Sequence, residues 1–271
     1  MLSGFQKAFG SVVGGPNRLQ TLGTVPYLAP MNGGCLPSAD VFAFASRGVR
    51  SKITLPPQFK IDSIPGTGSD QGQRGTCTAF AASTCMEKKS GVDLSEQDLY
   101  FEGIKRRGTP ATVDGLSPQE AFLVLRDTGV PSEDAWPYVP TLDRNNIGGG
   151  PPPPGLPAAQ KFFAPGMRSI TAAPDRTFDA VCRQIFKSKH PILMVTPVQP
   201  EAGWPSGPIV DDGPNVQPSL PSHCVAICGF NLSTSSLIFR NSWGISWGIF
   251  GFGIMRKPYF DKYVNELWEI P

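Results

Sequence analysis

Histidine is scarce: His190 and His223 are the only two in 271 residues, so any imidazole chemistry must use one of them. No apolar run approaches the roughly 20 residues of a membrane span. Met1 to Gly15 lacks the continuous apolar stretch of a cleavable secretory leader. Charged residues make up only 17% of the chain and sum to +2, which gives no reason to expect nucleic acid or a membrane surface as partner. Lys88-Lys89 and Lys105-Arg106-Arg107 read as solvated helix ends. There is no internal repeat, and six cysteines in a chain this long do not make a disulfide scaffold. What abounds is glycine (30) and proline (29), so much of the chain must be loop.

Most of the cysteines read as reduced core residues. Cys85 and Cys182 fall on apolar helical stripes, the latter with Phe178, Val181, Ile185 and Phe186. Cys224 and Cys228 share one expected strand, about 13 Å apart at roughly 3.3 Å per residue, too far for a bridge or a shared metal. Cys35, in a glycine loop, is expected to be exposed. Reduced thiols and the missing leader point to the cytoplasm, with export by another route left open.

Cys77 differs from the others. Asp70-Gln71-Gly72-Gln73-Arg74-Gly75-Thr76-Cys77 runs from a glycine-rich turn into a small-residue helix carrying Ala79, Phe80, Ala81, Ala82 and Met86. At a helix start, unpaired amides and the positive end of the helix dipole favour a thiolate. Thr76 is placed to cap that helix. The plainer reading is a buried core cysteine.

Along the chain, residues 1–53 form an irregular extension, and 54–147 are helix-rich. Helices are expected at Cys77 to Lys89, ended by Gly91, at Leu94 to Lys105 and at Pro118 to Gly129. Trp136-Pro137-Tyr138 reads as a packed turn. Glycines and prolines at 148–158 make a connector. Residues 159–255 turn to strand: a helix at Thr177 to Ser188, strands at Pro191 to Val195, His223 to Phe230, Leu237 to Asn241 and Trp247 to Met255, and a long loop from Pro197 to Pro221. Residues 256–271 pack back across the two halves. The class is α+β with segregated lobes.

His190 precedes a proline at a strand mouth and reads as a solvent-facing loop residue. His223 starts a strand, sharing a face with Val225 and Ile227, while Cys224, Ala226 and Cys228 face the other way. The hairpin returns Asn241 to the same end of the sheet. Register stays open, and a one-residue slip would put His223 and Asn241 on opposite faces. A thiolate needs an imidazole partner, and the ring needs a group to hold its tautomer. Asn241 supplies one, with Trp243 able to screen the bond. Gln71, six residues before the cysteine, can donate beside the Cys77 amide as an oxyanion hole.

These stretches, Gln71-Gly72-x-x-Gly75-x-Cys77-x-Ala79-Phe80, His223-x-Val225-Ala226-x-x-Gly229-Phe230 and Asn241-Ser242-Trp243-Gly244-x-x-Trp247-Gly248, resemble the papain (cathepsin-type) cysteine peptidase family. Histidine and asparagine follow the cysteine by 146 and 164 residues, near or slightly beyond the family's roughly 130–150. Leu94-Ser95-Glu96-Gln97-Asp98-Leu99 and Trp136-Pro137-Tyr138 also look like family segments. The resemblance covers roughly Leu55 to Pro271. It implies a two-lobed fold, a helical lobe and an antiparallel β-barrel-like lobe, with the active-site cleft between them. It implies peptide-bond hydrolysis with Cys77 as nucleophile, His223 as base, Asn241 orienting the ring, Gln71 in the oxyanion hole and Trp243 in support. It further implies a protein or peptide substrate, neither metal nor cofactor, and a monomer. Gly115 matches the glycines that bind substrate backbone by strand pairing, or it is a helix-entry glycine.

The departures carry meaning. Arg74 stands where secreted members have a disulfide cysteine, and Thr76 and Thr78 replace the usual Ser and Trp, as in bacterial members. The missing Trp removes part of the cleft wall on the leaving-group side. No histidine pair suits an occluding loop, which favours an endopeptidase. No long charged helical prodomain is evident. Residues 1–53 are therefore expected to restrain the enzyme in cis, with Val25 to Leu36 as a plug in the groove. A papain-fold acyltransferase of the transglutaminase type and a non-catalytic interaction module remain the alternatives.

Overall fold

A computed structural model describes residues 35, 53–66, 69–107, 113–142, 149–171, 175–213, 222–264 and 266–271, and the side chain of residue 201 is not among what is described. The expected plug segment, Val25 to Leu36, therefore lies outside the described residues except for Cys35, as does most of the 1–53 extension.

Helix α1 (Cys77–Ser90) is buried on every side through Glu87, which its alanines, serine and threonines permit by leaving room for close neighbours. Gly91, at φ 72°, ends it in the left-handed conformation that glycine adopts without steric cost. Helix α2 (Glu96–Arg106) starts at Ser95, whose side chain accepts the Asp98 amide. Helix α3 (Pro118–Asp127) has a full capping box between Ser117 and Glu120, with proline in its first turn. Helix α4 (Phe178–Ser188) is capped by Thr177, and α5 (Lys257–Tyr263) closes the set.

The strands are β1 (Gln58–Lys60), β2 (Val130–Pro131), β3 (Lys161–Phe162), β4 (Arg168–Ser169) and β5 (Ile192–Pro197). Then come β6 (Ile209–Val210), β7 (Ser222–Asn231), β8 (Ser236–Arg240), β9 (Phe252–Arg256) and β10 (Glu266–Glu269). The main sheet runs β4-β10-β5-β7-β8-β9-β6, with β1 added on β7, and is antiparallel except where β6 meets β9. Trp247 to Gly251, expected as strand, instead turns: Gly248, Phe250 and Gly251 all have positive φ. A Cβ on Gly248 would sit 2.4 Å from the Phe252 carbonyl oxygen, so the chain folds too tightly there for a ladder.

Period-two alternation on β5 and β7 divides the molecule. Ile192, Met194, Val225 and Ile227 face one core with Trp204, Phe239 and Tyr259. Leu193, Val195 and Cys224 face the other, with α1, α2 and α3. The two lobes thus share one sheet as their wall, and α1 lies against β7.

The helical lobe also buries acid. Glu87 is 1% exposed and sits 3.4 Å from Arg240, which also donates to the Pro65 and Gly66 carbonyls and to Ser69. Burial pushes the Glu87 carboxyl up to about 8 against the pull of Arg240. Burial also raises Glu133 to about 7 and Asp98 to about 6. A carboxyl whose pKa rises on folding keeps its proton longer in the folded state than in the unfolded one. Its contribution is complete below the unfolded value of 4.5 and is lost as pH rises through about 8. The denaturant midpoint should accordingly fall between about pH 5 and about pH 8.5, and Glu87→Gln should remove much of that fall.

Candidate active site

The loop before α1 is fastened from both lobes. The Gln71 N–H donates to the Ser242 carbonyl at 2.8 Å, and Gly244 N–H donates to the Ser69 carbonyl at 2.9 Å. Gly72 turns the chain at φ 59°, and a Cβ there would lie 1.9 Å from the Pro140 carbonyl oxygen. Tyr138 donates to the Gln71 carbonyl at 2.8 Å, and its hydroxyl meets that of Thr76 at 2.7 Å. Thr76 spends its side chain there and does not cap the helix, contrary to the sequence expectation. Arg74, 1% exposed, lies 4.4 Å over the Tyr138 ring and donates to Gln97 at 2.8 Å. A cation–π contact and a hydrogen bond thus fix Arg74 in the buried turn before α1.

Cys77 opens α1 fully buried, with His223 beside it. Burial alone would push its thiol up. The neighbouring Cys224 thiol and the His223 ring outweigh that and hold Cys77 well below the ordinary thiol value. The ring nitrogen Nε2 of His223 lies 2.8 Å from Asn241 Oδ1. The same Oδ1 accepts the Ser242 backbone N–H at 2.9 Å. A backbone amide only donates, so the atom it meets is the oxygen, and Nε2 must carry the proton. In the neutral ring that tautomer leaves Nδ1 without a proton and able to accept one.

A β-bulge brings the pair together. Near the β7–β8 turn, Phe230 pairs with Leu237, but the register shifts between Ile227 and Gly229, so that Ala226 pairs with Arg240. Continued one residue, the shifted register puts Asn241 opposite Val225, on His223's face. Without the bulge it would fall opposite Ala226, facing away.

Trp243 stacks on the His223 ring at 4.9 Å between centroids and 28° between planes. Trp204, unnoticed in the sequence because it sits in a Pro/Gly-rich stretch, meets the same ring edge-on at 5.8 Å. Trp204 is itself tied by its indole N–H to Tyr259 and by its carbonyl to Trp247. A lone large aromatic between such breakers was the available signal. Gln71 is 2% exposed. Its Oε1 accepts from Ser242 Oγ at 2.6 Å and its Nε2 donates to the Arg74 carbonyl at 2.9 Å. That bond uses one of two amide hydrogens.

The Gly115 N–H donates to the Tyr100 hydroxyl at 2.8 Å and its carbonyl accepts from Arg107 at 2.7 Å, so its N–H is already engaged within the helical lobe. One expectation fails. Cys35 is buried at 4% exposure, its Sγ 2.9 Å from that of Cys224. His190 stands at the opposite end of β5 from Thr196, the residue paired with His223. Among the described residues, no group of three His, Cys, Asp or Glu could hold a metal ion, and no helix is long and apolar enough to cross a membrane.

The sequence profile "Papain family cysteine protease" matches residues 65–263. Cathepsin K of Gallus gallus is 27% identical over 205 residues, 69% of this chain and 54% of that protein. Cathepsin L1 of Drosophila melanogaster is 26% identical over 219 residues, 74% of this chain and 53% of that one. The chain spans between about half and three fifths of such curated relatives, 53% to 59% of their length for the first three. Among solved structures, xylellain, a cysteine protease from Xylella fastidiosa, superposes with a TM-score of 0.70 at 22% identity, over 88% of this chain and 95% of that one. Digestive procathepsin L 3 of the Tenebrio molitor larval midgut gives 0.63 at 21% identity, over 89% and 75%.

If Cys77 is held as a thiolate, iodoacetamide at about pH 6 should label it alone of the six cysteines, well below the ordinary thiol pKa of about 8.5. His223→Ala should move the onset of labelling upward. Onset only above about pH 8 in the unaltered protein would show that the ring does not stabilise the thiolate.

Proposed function

The chain belongs to the papain family of cysteine proteases, and from that premise we propose that it is an endopeptidase acting through Cys77, His223, Asn241 and Gln71. The observation that carries this reading is the bond from His223 Nε2 to Asn241 Oδ1 under the stacked Trp243 ring, with the Cys77 thiol held low beside that histidine.

The thiolate attacks the carbonyl carbon of a bound peptide. Charge moves to the carbonyl oxygen, which accepts from the Cys77 N–H in the first turn of α1 and from the second hydrogen of Gln71 Nε2. His223 gives its Nδ1 proton to the departing amine, leaving an acyl-enzyme. A water, deprotonated by the same nitrogen, then releases the acid and restores the pair. Asn241 holds the ring's tautomer throughout, and Trp243 with Trp204 keeps water from that bond. Ser242, bonded to both Asn241 and Gln71, positions donor and base together.

The N-terminal extension, in this reading, restrains the enzyme in cis. Its support is Cys35, whose backbone bridges to Leu116 and whose N–H reaches the Ser222 carbonyl at 3.4 Å, one residue from His223. Proform structures are known for relatives such as the procathepsin named above.

Cys77→Ala should abolish peptide hydrolysis and leave the fold intact. Gln71→Ala should lower kcat by about 10²–10³, or roughly 2.7–4 kcal/mol, with KM little changed. A raised KM at constant kcat would remove Gln71 from the oxyanion hole. A chain beginning near Ser51 should show a lower KM and faster alkylation of Cys77 than the full chain, and equal rates would retire the restraint.

A further inference from the structure

Peptide hydrolysis as described uses one sulfur, yet three meet at the site. Cys77 opens α1, Cys224 follows His223 on β7, and Cys35 arrives from the N-terminal stretch. Cys224 occupies the middle: its Sγ is 2.9 Å from that of Cys35, and it shares one buried cluster with Cys77, whose neighbour Thr78 touches it. The Thr78 hydroxyl lies 3.2 Å from Cys224 Sγ and 2.8 Å from the Leu116 carbonyl. That ties the cluster to the residue across which Cys35 forms its β-bridge. All three cysteines are buried and none is in a disulfide.

We propose that these three thiols form a hydroperoxide-triggered relay that ends in a Cys35–Cys224 disulfide and returns Cys77 as a thiolate. The relay rests on the reading of Cys77 as the reactive thiolate. It begins when Cys77 sulfur attacks a peroxide oxygen. The O–O bond breaks, hydroxide leaves, and Cys77 becomes a sulfenic acid, two electrons having passed from sulfur to oxygen. Cys224 sulfur then attacks Cys77 sulfur. An S–S bond forms, the S–O bond breaks, and the hydroxyl departs as water with the Cys224 proton. Cys35 finally attacks Cys224 sulfur, making Cys35–Cys224 and expelling the Cys77 thiolate. The Cys35 proton neutralises the hydroxide from the first step. Overall, two thiols and one hydrogen peroxide give one disulfide and two waters.

The direction of the last step follows from the leaving groups. Burial raises Cys35 and, more strongly, Cys224, whereas Cys77 is held low beside His223. The sulfur of lowest pKa leaves fastest, and Cys35 lies against Cys224, the sulfur it must attack. The relay would spare the nucleophile irreversible oxidation, since a sulfenic acid with a thiol neighbour condenses before a second peroxide arrives.

The test uses the full chain, reduced and then treated with one equivalent of hydrogen peroxide, quenched in acid, alkylated and peptide-mapped without reductant. A Cys35–Cys224 crosslink with Cys77 alkylated is the expected product, reversed by dithiothreitol. Cys35→Ser should stop the relay at a Cys77–Cys224 disulfide. Cys77→Ser should slow Cys35–Cys224 formation by about tenfold or more, because the thiolate entry point is gone. Cys77 sulfinate with Cys35 and Cys224 both alkylated, or equal crosslinking rates with and without Cys77, would overturn the relay. Peptide hydrolysis by the reduced chain is measured alongside. Crosslinking without hydrolysis would remove the peptidase reading and leave the relay, and hydrolysis without crosslinking would do the reverse.

Discussion

Ser242 is the point on which both halves of the site depend. Its N–H fixes the Asn241 oxygen, its hydroxyl fixes the Gln71 amide, and its carbonyl accepts the Gln71 backbone N–H. Three hydrogen bonds from one buried residue thus set the histidine tautomer and the direction of the donor loop. Each bond taken alone is worth about 0.5–1.5 kcal/mol. Their value lies in coupling, because the loop from Ser69 to Cys77 cannot shift without pulling on the residue beside the orienting asparagine. The lobes are locked at the place where relative motion would spoil the geometry.

The residues that the structure gathers at the candidate site were legible in the sequence because they are rare. Two histidines leave little choice, and a cysteine at the start of a small-residue helix is placed for thiolate chemistry. The helices were legible from their apolar spacing, and Gly91 ends α1 as expected, whereas the caps Ser95, Ser117 with Glu120, and Thr177 were not singled out in the sequence. What could not be read was anything decided by contacts far along the chain. The bulge at Cys228 leaves no local signature, since Cys228 looks like any other apolar strand residue, yet it decides which face Asn241 takes. Thr76 had a good local reason to cap α1 and was drawn off by Tyr138, 62 residues away. The bonds of Gly115 to Tyr100 and Arg107 also have no signature in the local sequence. Cys35 read as exposed because its neighbours are glycines, and it is buried by β7 and Leu116.

The helical lobe shows how a core without a disulfide holds its shape by polar means. Arg74 lies flat on Tyr138 and bonds Gln97, while Arg240 reaches across from β8 to the Pro65 and Gly66 carbonyls and to Glu87. A planar, delocalised cation suits both places, stacking on a ring at Arg74 and donating to several acceptors at Arg240. Keeping Glu87 largely protonated near neutrality lowers the cost of burying it, since the charged form bears most of the desolvation penalty.

The bond between Ser242 and Gln71 joins residues 171 apart in sequence. During synthesis from the N-terminus, the helix bearing Cys77 is complete long before β8 and the asparagine that follows it have left the ribosome. Contacts of such long range also close late in refolding, after the locally encoded helices. Chain order therefore acts as a clock: the Cys77 sulfur exists early, and His223 and Asn241 arrive late, so a half-made molecule carries the thiol without the ring that lowers its pKa.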